Sequence, residues 1–177
     1  MKEPTIKTRE PEQDSIQIRH SPSGRGFRLE TSQFLPYEPV QVFEFFADAF
    51  QLEALTPPWL HFSILTPAPI QLAAGTIIDY RLRLHGLPIR WQSRISIWDP
   101  PLRFVDEQLR GPYRRWHHEH VFEPVEDGTL CKDFVDYVVP GGRLIHAIAV
   151  RRDLQSIFEF RRRKLSDLFP AIVNEYH

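Results

Sequence analysis

Apolar and polar positions first alternate as in a strand and then recur at helical spacing. In FRLETSQF, Phe27 and Leu29 lie on one face of an extended segment. Pro39 then begins PVQVFEFFADAF, in which apolar residues recur at the three- to four-residue spacing of a helix. Pro57 and Pro58 follow, and proline cannot continue a helix interior. The pattern therefore predicts a strand and a short helix, with at most one further helical turn before the two prolines.

Six further segments alternate with the two-residue period of β-strands. Glycines such as Gly86, Gly111 and Gly128 mark the turns between them, and the connections are short enough for antiparallel neighbours. The segments are HFSIL, GTIIDYRLRL, PIRWQSRISIW, LRFVDEQL, YRRWHHEHVFEP and GTLCKDFVDYVV. From Leu144 to Phe169 the chain has no proline or glycine and carries one apolar stripe, which predicts a long amphipathic helix. We therefore expect an α+β fold in which an antiparallel sheet of about seven strands curls around the C-terminal helix.

The phases of the strands predict which side chains face the space between the sheet and this helix. In PIRWQSRISIW the odd positions from Ile89 to Ile97 are apolar or small, so they face inward. Arg151 and Arg161 lie close to the centre of the helix stripe, although both could direct only their aliphatic stems inward. The predicted ligand-binding residues are Tyr80, Trp91, Asp106, Gln108, Trp116, His118, His120, Asp133, Tyr137 and Arg151.

The last strand allows two phases. If Lys132 faces solvent, Asp133 and Tyr137 face the interior, whereas Leu130 and Phe134 favour the opposite arrangement. We adopt the first phase, which adds a carboxyl group and a phenol to the inner wall.

Three histidines crowd the segment RRWHHEHVF. On a strand, His118 and His120 share a face with Trp116, and His117 lies on the opposite face. We expect the pair to face the interior, because the reverse arrangement would expose Trp116. A buried polar side chain needs a partner or a function, so three roles stay open for the pair: a structural polar network, hydrogen bonding to a ligand, and metal or acid/base chemistry.

The His-x-His spacing is compatible with a metal site, with Asp106 or Asp133 as a third ligand. We nevertheless predict that no metal binds there, for two reasons. Arg151, which is expected nearby, suits an anion better than a cation, and the spacing places no third imidazole. The histidines are therefore expected to contact a polar group of a bound molecule.

The composition indicates one globular domain in a reducing compartment. A chain of 177 residues with 42% apolar content can bury a substantial core. The net charge of −1 gives no reason to expect a nucleic-acid partner. Cys131 is the single cysteine, which excludes an intrachain disulfide and a multi-cysteine zinc site.

No apolar run approaches the ~20 residues that cross a bilayer, so we expect a cytoplasmic protein without a membrane span. The oligomeric state is left open.

The chain divides into three predicted regions. Residues 1–26 are rich in charged residues, Pro, Ser and Gly, which predicts a disordered N-terminal tail. A single domain spans residues 27–170, and residues 171–177 form a short C-terminal tail. The N-terminal region lacks the apolar run of a signal peptide.

The order of these elements resembles the START-like (SRPBCC) helix-grip superfamily. The segments that carry the resemblance are LTPPWLHF after the first helix, PPLRFVDEQLRGPYRRWHHEH in the middle and LCKDFVDYVVPGG before the last helix. The resemblance covers roughly Phe27 to Pro170 and is nearest to bacterial single-domain members described as polyketide cyclase/dehydrase-like or ligand-binding. It implies a cavity between sheet and helix that holds a hydrophobic ligand, and it implies no metal or other cofactor. It does not fix the function, because the superfamily includes carriers, receptors, cyclases and oxygenase subunits.

We expect the chain to bind or carry a small hydrophobic or aromatic molecule with a polar end, without a covalent bond. One alternative is a cyclase- or dehydratase-like enzyme, in which His118 or His120 removes a proton and Tyr137 or Arg151 stabilises the oxyanion. Another is an interaction module whose cavity is purely structural. No Ser-His-Asp order, phosphate loop or dinucleotide fingerprint favours a different chemistry. The sequence leaves open whether any reaction is catalysed.

Overall fold

The computed structural model describes residues 16–171, which form an eight-stranded antiparallel sheet and a long C-terminal helix. The strands are β1 (Ile16–His20), β2 (Phe27–Leu35), β3 (Ser63–Ile64), β4 (Ile77–Leu84), β5 (Leu87–Asp99), β6 (Arg103–Arg110), β7 (Arg115–Val125) and β8 (Gly128–Val138). Their order in the sheet is β1-β2-β8-β7-β6-β5-β4-β3. The helices α1 (Pro39–Ala47) and α2 (Gln51–Ala54) and a 3₁₀ turn (Pro58–Leu60) lie between β2 and β3.

The C-terminal helix has three parts: α3 (Gly142–Ile145), a π-helical turn (His146–Val150) and α4 (Arg151–Leu168). The inner side of α4 buries Leu154, Phe158 and Leu165 against the sheet, as the apolar stripe predicts. The α+β helix-grip fold predicted from the sequence is therefore confirmed. No helix among residues 16–171 combines the length and the apolar character that crossing a membrane requires.

The short helix begins where the sequence predicts it. Pro39 occupies the first turn of α1, where a missing backbone N–H removes no hydrogen bond. Glu38 and Gln41 form a capping box that satisfies free N–H groups at this end. The predicted extra turn is α2, and the two prolines are followed by the 3₁₀ turn instead of more helix.

The sheet has one more strand than expected, because part of the predicted tail is ordered. β1 pairs with β2 from Ile16 opposite Thr31 to His20 opposite Phe27. Ser21 follows β1 and is buried, and its hydroxyl donates to Oδ1 of Asp136 at 2.7 Å. The prediction of disorder up to residue 26 was wrong for this strand, which is short and half exposed at the sheet edge and so lacks a strong apolar pattern. Residues 1–15 and 172–177 of the two predicted tails lie outside the described residues.

A β-bulge changes the phase at the end of β5. The register shifts between Ile95 and Ile97. Trp91 and Ile95 face inward as predicted, but Ile97 is 36% exposed and Trp98 packs on the core instead. The predicted inward position of Ile97 was wrong because one extra residue in a strand reverses the faces of the residues that follow it.

Three clusters of buried apolar side chains connect the layers. The first joins α1 to the sheet through Val42, Phe43 and Phe122. The second packs Phe158 of α4 against Leu29 of β2. Full burial of one such side chain contributes about 1.5–3 kcal/mol to folding. The third cluster consists of Ala49, Ile78, Tyr80 and Trp91.

Gly26 lies where the β1–β2 turn packs on β8, and we expect Gly26→Ala to lower the free energy of unfolding by more than about 2 kcal/mol. Its φ is +79°, which costs a residue with a Cβ atom about 1–2 kcal/mol, and that atom would also collide with the carbonyl oxygen of Tyr137. Gly24→Ala is the matched control, because its φ is +74° but its Cβ would meet nothing within 4 Å. Urea unfolding compares the two variants. Equal losses would contradict the packing of this turn on β8.

Candidate functional site

A cavity of about 220 Å³ lies between the sheet and α4. Strands β4 to β7 form one side of its wall, and α4 and the α1–β3 region form the other. Most of the wall is apolar, with aromatic rings from Phe62, Tyr80, Trp91, Tyr113, Trp116 and Phe158. The fold therefore provides a largely apolar cavity between the sheet and α4.

The polar atoms of Tyr80 and Trp91 both contact the hydroxyl group of Ser93. Nε1–H of Trp91 donates to Oγ of Ser93 at 3.0 Å, and the Tyr80 hydroxyl lies 2.7 Å from the same oxygen. Burial raises the pKa of Tyr80 well above its usual value, so its phenol stays neutral. Trp116 packs edge-on against Trp91, with ring centroids 5.3 Å apart. This part of the wall consequently presents ring faces and edges to the cavity.

Five ionisable side chains meet on the inner face of the sheet, and we call them the polar centre. They are Asp106 of β6, His118 and His120 of β7, Asp133 of β8 and Arg161 of α4. Asp106 lies opposite His118 across β6 and β7, and His120 lies opposite Asp133 across β7 and β8. All except Asp133 line the cavity among the described residues. Strand register thus places two carboxyl groups beside the two imidazoles.

Each carboxylate lies between the two histidine rings. Nε2–H of His118 donates to Oδ1 of Asp133 at 2.8 Å, and Nε2–H of His120 donates to Oδ2 of Asp106 at 3.0 Å. Oδ1 of Asp133 also lies 3.0 Å from Nδ1 of His120 and 3.3 Å from Nη2 of Arg161. Nδ1 of His118 lies 3.5 Å from Oδ2 of Asp106. A carboxylate can only accept hydrogen bonds, so Nε2 of each ring carries a proton, whereas Nδ1 of His120 lies 3.2 Å from Nη2 of Arg161, which can only donate.

The charges in the polar centre fix the protonation of its carboxyl groups. Burial alone would raise the pKa of Asp133, but Arg161 and the two histidines outweigh it and hold this pKa well below its usual value. Burial would also raise the pKa of Asp106, and the hydrogen bond from His120 together with the nearby positive charges lowers it. Both carboxyl groups are therefore ionised at neutral pH.

The pKa values of the two histidines shift in opposite directions. Burial and the neighbouring His120 lower the pKa of His118. Burial also acts to lower the pKa of His120, but Asp106 and Asp133 on either side of the ring raise it more. A proton therefore goes to His120 before His118.

Most of the predicted site residues come together. Tyr80, Trp91, Asp106, Trp116, His118 and His120 line the cavity, and Asp133 lies directly against both histidines. Asp133 and Tyr137 of β8 are buried, so this strand has the phase predicted from the sequence. His117 lies on the outer face as predicted, with Nδ1 3.1 Å from Oε1 of Glu107.

Two predicted residues face inward but serve other contacts. Nε2–H of Gln108 donates to the backbone oxygen of Tyr113 at 2.7 Å and closes the β6–β7 turn. The hydroxyl of Tyr137 lies 2.9 Å from Nε2 of His146 in the π-helical turn. Neither Gln108 nor Tyr137 is among the described residues that line the cavity.

The inward position predicted for Arg151 was wrong, since its side chain is exposed. The prediction assumes a constant angle per residue along one helix that begins at Leu144. Leu144, which this assumption places on the inner side, is itself 67% exposed. The π-helical turn His146–Val150 winds with more residues per turn, so it changes the phase of α4 relative to Leu144. Arg161, which the stripe also placed inward, is the arginine that reaches the polar centre. Arg161 was not among the predicted ligand-binding residues, although its position in the apolar stripe indicated that it faces the sheet.

Comparison with known proteins agrees with this architecture. Residues 35–161 match the sequence model of the family described as polyketide cyclase / dehydrase and lipid transport. A solved structure from Chromobacterium violaceum has a TM-score of 0.65 and 12% identity, covering 81% of this chain and 97% of its own. One from Arthrobacter aurescens has a TM-score of 0.65 and 14% identity, covering 91% and 98%. One from Rhodobacter sphaeroides has a TM-score of 0.61 and 22% identity, covering 87% and 97%. These likenesses show the fold, and no curated protein sequence matches the chain significantly.

Asp133→Ala is expected to lower the free energy of unfolding by about 3–5 kcal/mol, because it leaves the buried guanidinium of Arg161 without its carboxylate. Asp79→Ala is the matched control, since Asp79 is an exposed carboxylate on β4 that accepts a hydrogen bond from Gln92, and its loss should cost about 1 kcal/mol or less. Denaturant unfolding at neutral pH measures both. Similar small losses in the two variants would contradict the structural importance of Asp133.

Proposed function

We propose that this chain, which belongs to the polyketide cyclase/dehydrase and lipid transport family, binds a compact aromatic or hydrophobic molecule that has one polar group. The observation that carries the proposal is an apolar, aromatic cavity that ends at the polar centre. Apolar pockets with a few convergent polar groups are typical of small-molecule sites. The family description supports hydrophobic ligand binding in general, and the cavity narrows the class.

The size of the cavity indicates the size of the molecule. Its volume of about 220 Å³ exceeds the roughly 150 Å³ of an engineered cavity that binds benzene. It is smaller than the roughly 300–1,000 Å³ pockets that hold drug-sized ligands. A body of one or two rings therefore fits better than a long lipid chain. The rings of Trp91 and Trp116 supply the apolar contact surface for it.

The charge balance of the polar centre favours a neutral polar group on the ligand. The carboxylates of Asp106 and Asp133 are both ionised, and the guanidinium of Arg161 supplies one fixed positive charge beside them. A ligand carboxylate or phosphate would add an unmatched buried charge, which is costly. A hydroxyl group adds none and can donate a hydrogen bond to Nδ1 of His118, whose Nε2–H is already donated to Asp133. We therefore propose a phenol or an alcohol as the polar end.

Catalysis of a cyclase- or dehydratase-like reaction is a second candidate, favoured by His118. This imidazole lines the cavity, and its lowered pKa keeps it neutral and able to accept a proton at neutral pH. Tyr137 and Arg151 do not line the cavity, so stabilisation of an oxyanion would fall to Arg161. Such an enzyme would lose turnover in His118→Ala while still binding its substrate.

Two probes with the same two-ring body test the binding proposal: naphthalene and 2-naphthol. We expect both to bind the full chain in the presence of EDTA, and 2-naphthol to bind more tightly. His118→Ala should remove about 1–3 kcal/mol of the preference for 2-naphthol, because the ligand hydroxyl loses a buried partner. Isothermal titration calorimetry measures both affinities.

His117→Ala is the control for this measurement, because His117 lies on the outer face of β7 and contacts Glu107. It should leave both affinities unchanged. Failure of both probes to bind the wild-type chain would contradict the proposed ligand class. An unchanged preference in His118→Ala would contradict the role of the polar centre.

A further inference from the structure

We propose that Asp106, His118 and His120 form a binding site for one divalent transition metal ion, zinc or ferrous iron. One ligand atom from each of these side chains lies within 4.8 Å of the other two. Two imidazoles and one carboxylate, without a thiolate, form a donor set that suits these metals. The proposal concerns the metal alone and does not depend on the ligand class proposed above.

Two of the three distances are close to those between ligands of one metal ion, and all three are within 4.8 Å. Nε2 of His120 lies 3.0 Å and Nδ1 of His118 lies 3.5 Å from Oδ2 of Asp106. Ligand atoms at the metal distances of about 2.0–2.1 Å are roughly 3.3 Å apart in a tetrahedral site. The backbone already holds the three side chains in place, because His118 and His120 are two residues apart on β7 and Asp106 is the β6 neighbour of His118. Metal binding would therefore require little movement of the strands.

Asp133 supplies a hydrogen bond that would orient a metal-bound His118. If Nδ1 of His118 holds the metal, Nε2–H of the same ring donates to Oδ1 of Asp133 at 2.8 Å. A carboxylate behind a histidine fixes its tautomer and strengthens it as a ligand. In His120 the nitrogen opposite Nε2 lies 3.0 Å from Oδ1 of Asp133 and 3.2 Å from Nη2 of Arg161.

The charge of the site favours a cation. With both histidines neutral, the charges of Asp106 and Asp133 sum with that of Arg161 to −1. Arg151, which was expected near the histidine pair, has an exposed side chain, and the guanidinium that does lie in the polar centre, Arg161, is paired with Asp133.

The site is open toward the cavity. Asp106, His118 and His120 line the cavity wall, and Asp133 is not among the described residues that do so. Three protein ligands leave at least one coordination position free, as in catalytic zinc sites. Because the three side chains line the cavity, an oxygen of a molecule bound there could complete the coordination of the metal.

Zinc binding to the untagged, EDTA-treated full chain tests the proposal. Isothermal titration calorimetry should show one Zn²⁺ per chain, and Co²⁺ should give the visible absorption of a four- or five-coordinate nitrogen and oxygen site. His118→Ala and His120→Ala should each weaken Zn²⁺ binding by at least about 100-fold, and Asp133→Asn by about 10- to 100-fold. His117→Ala should have no effect, since its ring lies on the outer face beside Glu107.

A measurement on the unaltered protein covers variants that fail to fold. In ¹⁵N spectra of the imidazoles, Zn²⁺ should shift one ring nitrogen each of His118 and His120 and leave His117 unchanged. The proposal is overturned if Zn²⁺ does not bind stoichiometrically, or if His117→Ala weakens binding as much as His118→Ala. Because the naphthalene and 2-naphthol titrations are carried out in EDTA, failure to bind zinc leaves their result intact, and their failure leaves the zinc result intact.

Discussion

The buried carboxylate of Asp133 joins the three elements on which the site depends. It accepts a hydrogen bond from His118 of β7 at 2.8 Å and lies 3.3 Å from the guanidinium of Arg161 on α4, while belonging itself to β8. A guanidinium and two imidazoles cannot be buried without partners except at a large cost. The inward positions of Arg161 and His118 therefore depend on this one carboxylate, while Asp106 accepts the hydrogen bond of His120.

A bound ligand and the proposed metal ion would both contact the part of the cavity wall that the polar centre forms. The apolar rings of the cavity select the body of a molecule by shape, and the polar centre selects its polar group by hydrogen bonding and charge. A neutral oxygen suits both a polar centre that already contains two carboxylates and an open coordination position on a metal. The geometry of Asp106, His118 and His120 is thus compatible with recognition alone or with a metal that takes part in recognition.

Periodicity predicted the order of the elements and the inner faces of most strands, because burial of one face imposes a period of two on strands and 3.6 on helices. Irregular backbone caused the errors. The bulge after Ile95 moved Ile97 outward, and the π-helical turn before α4 exposed Arg151. Single extra residues of this kind leave no periodic signal. The proximity of Asp133 to both histidines could not be predicted from the sequence either, because it depends on the register between β7 and β8.

The most direct test of the central claim is the response of the four tryptophan indole N–H signals to 2-naphthol in ¹⁵N-resolved NMR. Trp91 and Trp116 line the cavity, whereas Trp59 and Trp98 are not among the described residues that do. The account predicts that the signals of Trp91 and Trp116 shift with saturation at one equivalent, and that the other two stay in place. Shifts confined to Trp59, which is 53% exposed, would show binding at the surface and contradict the account.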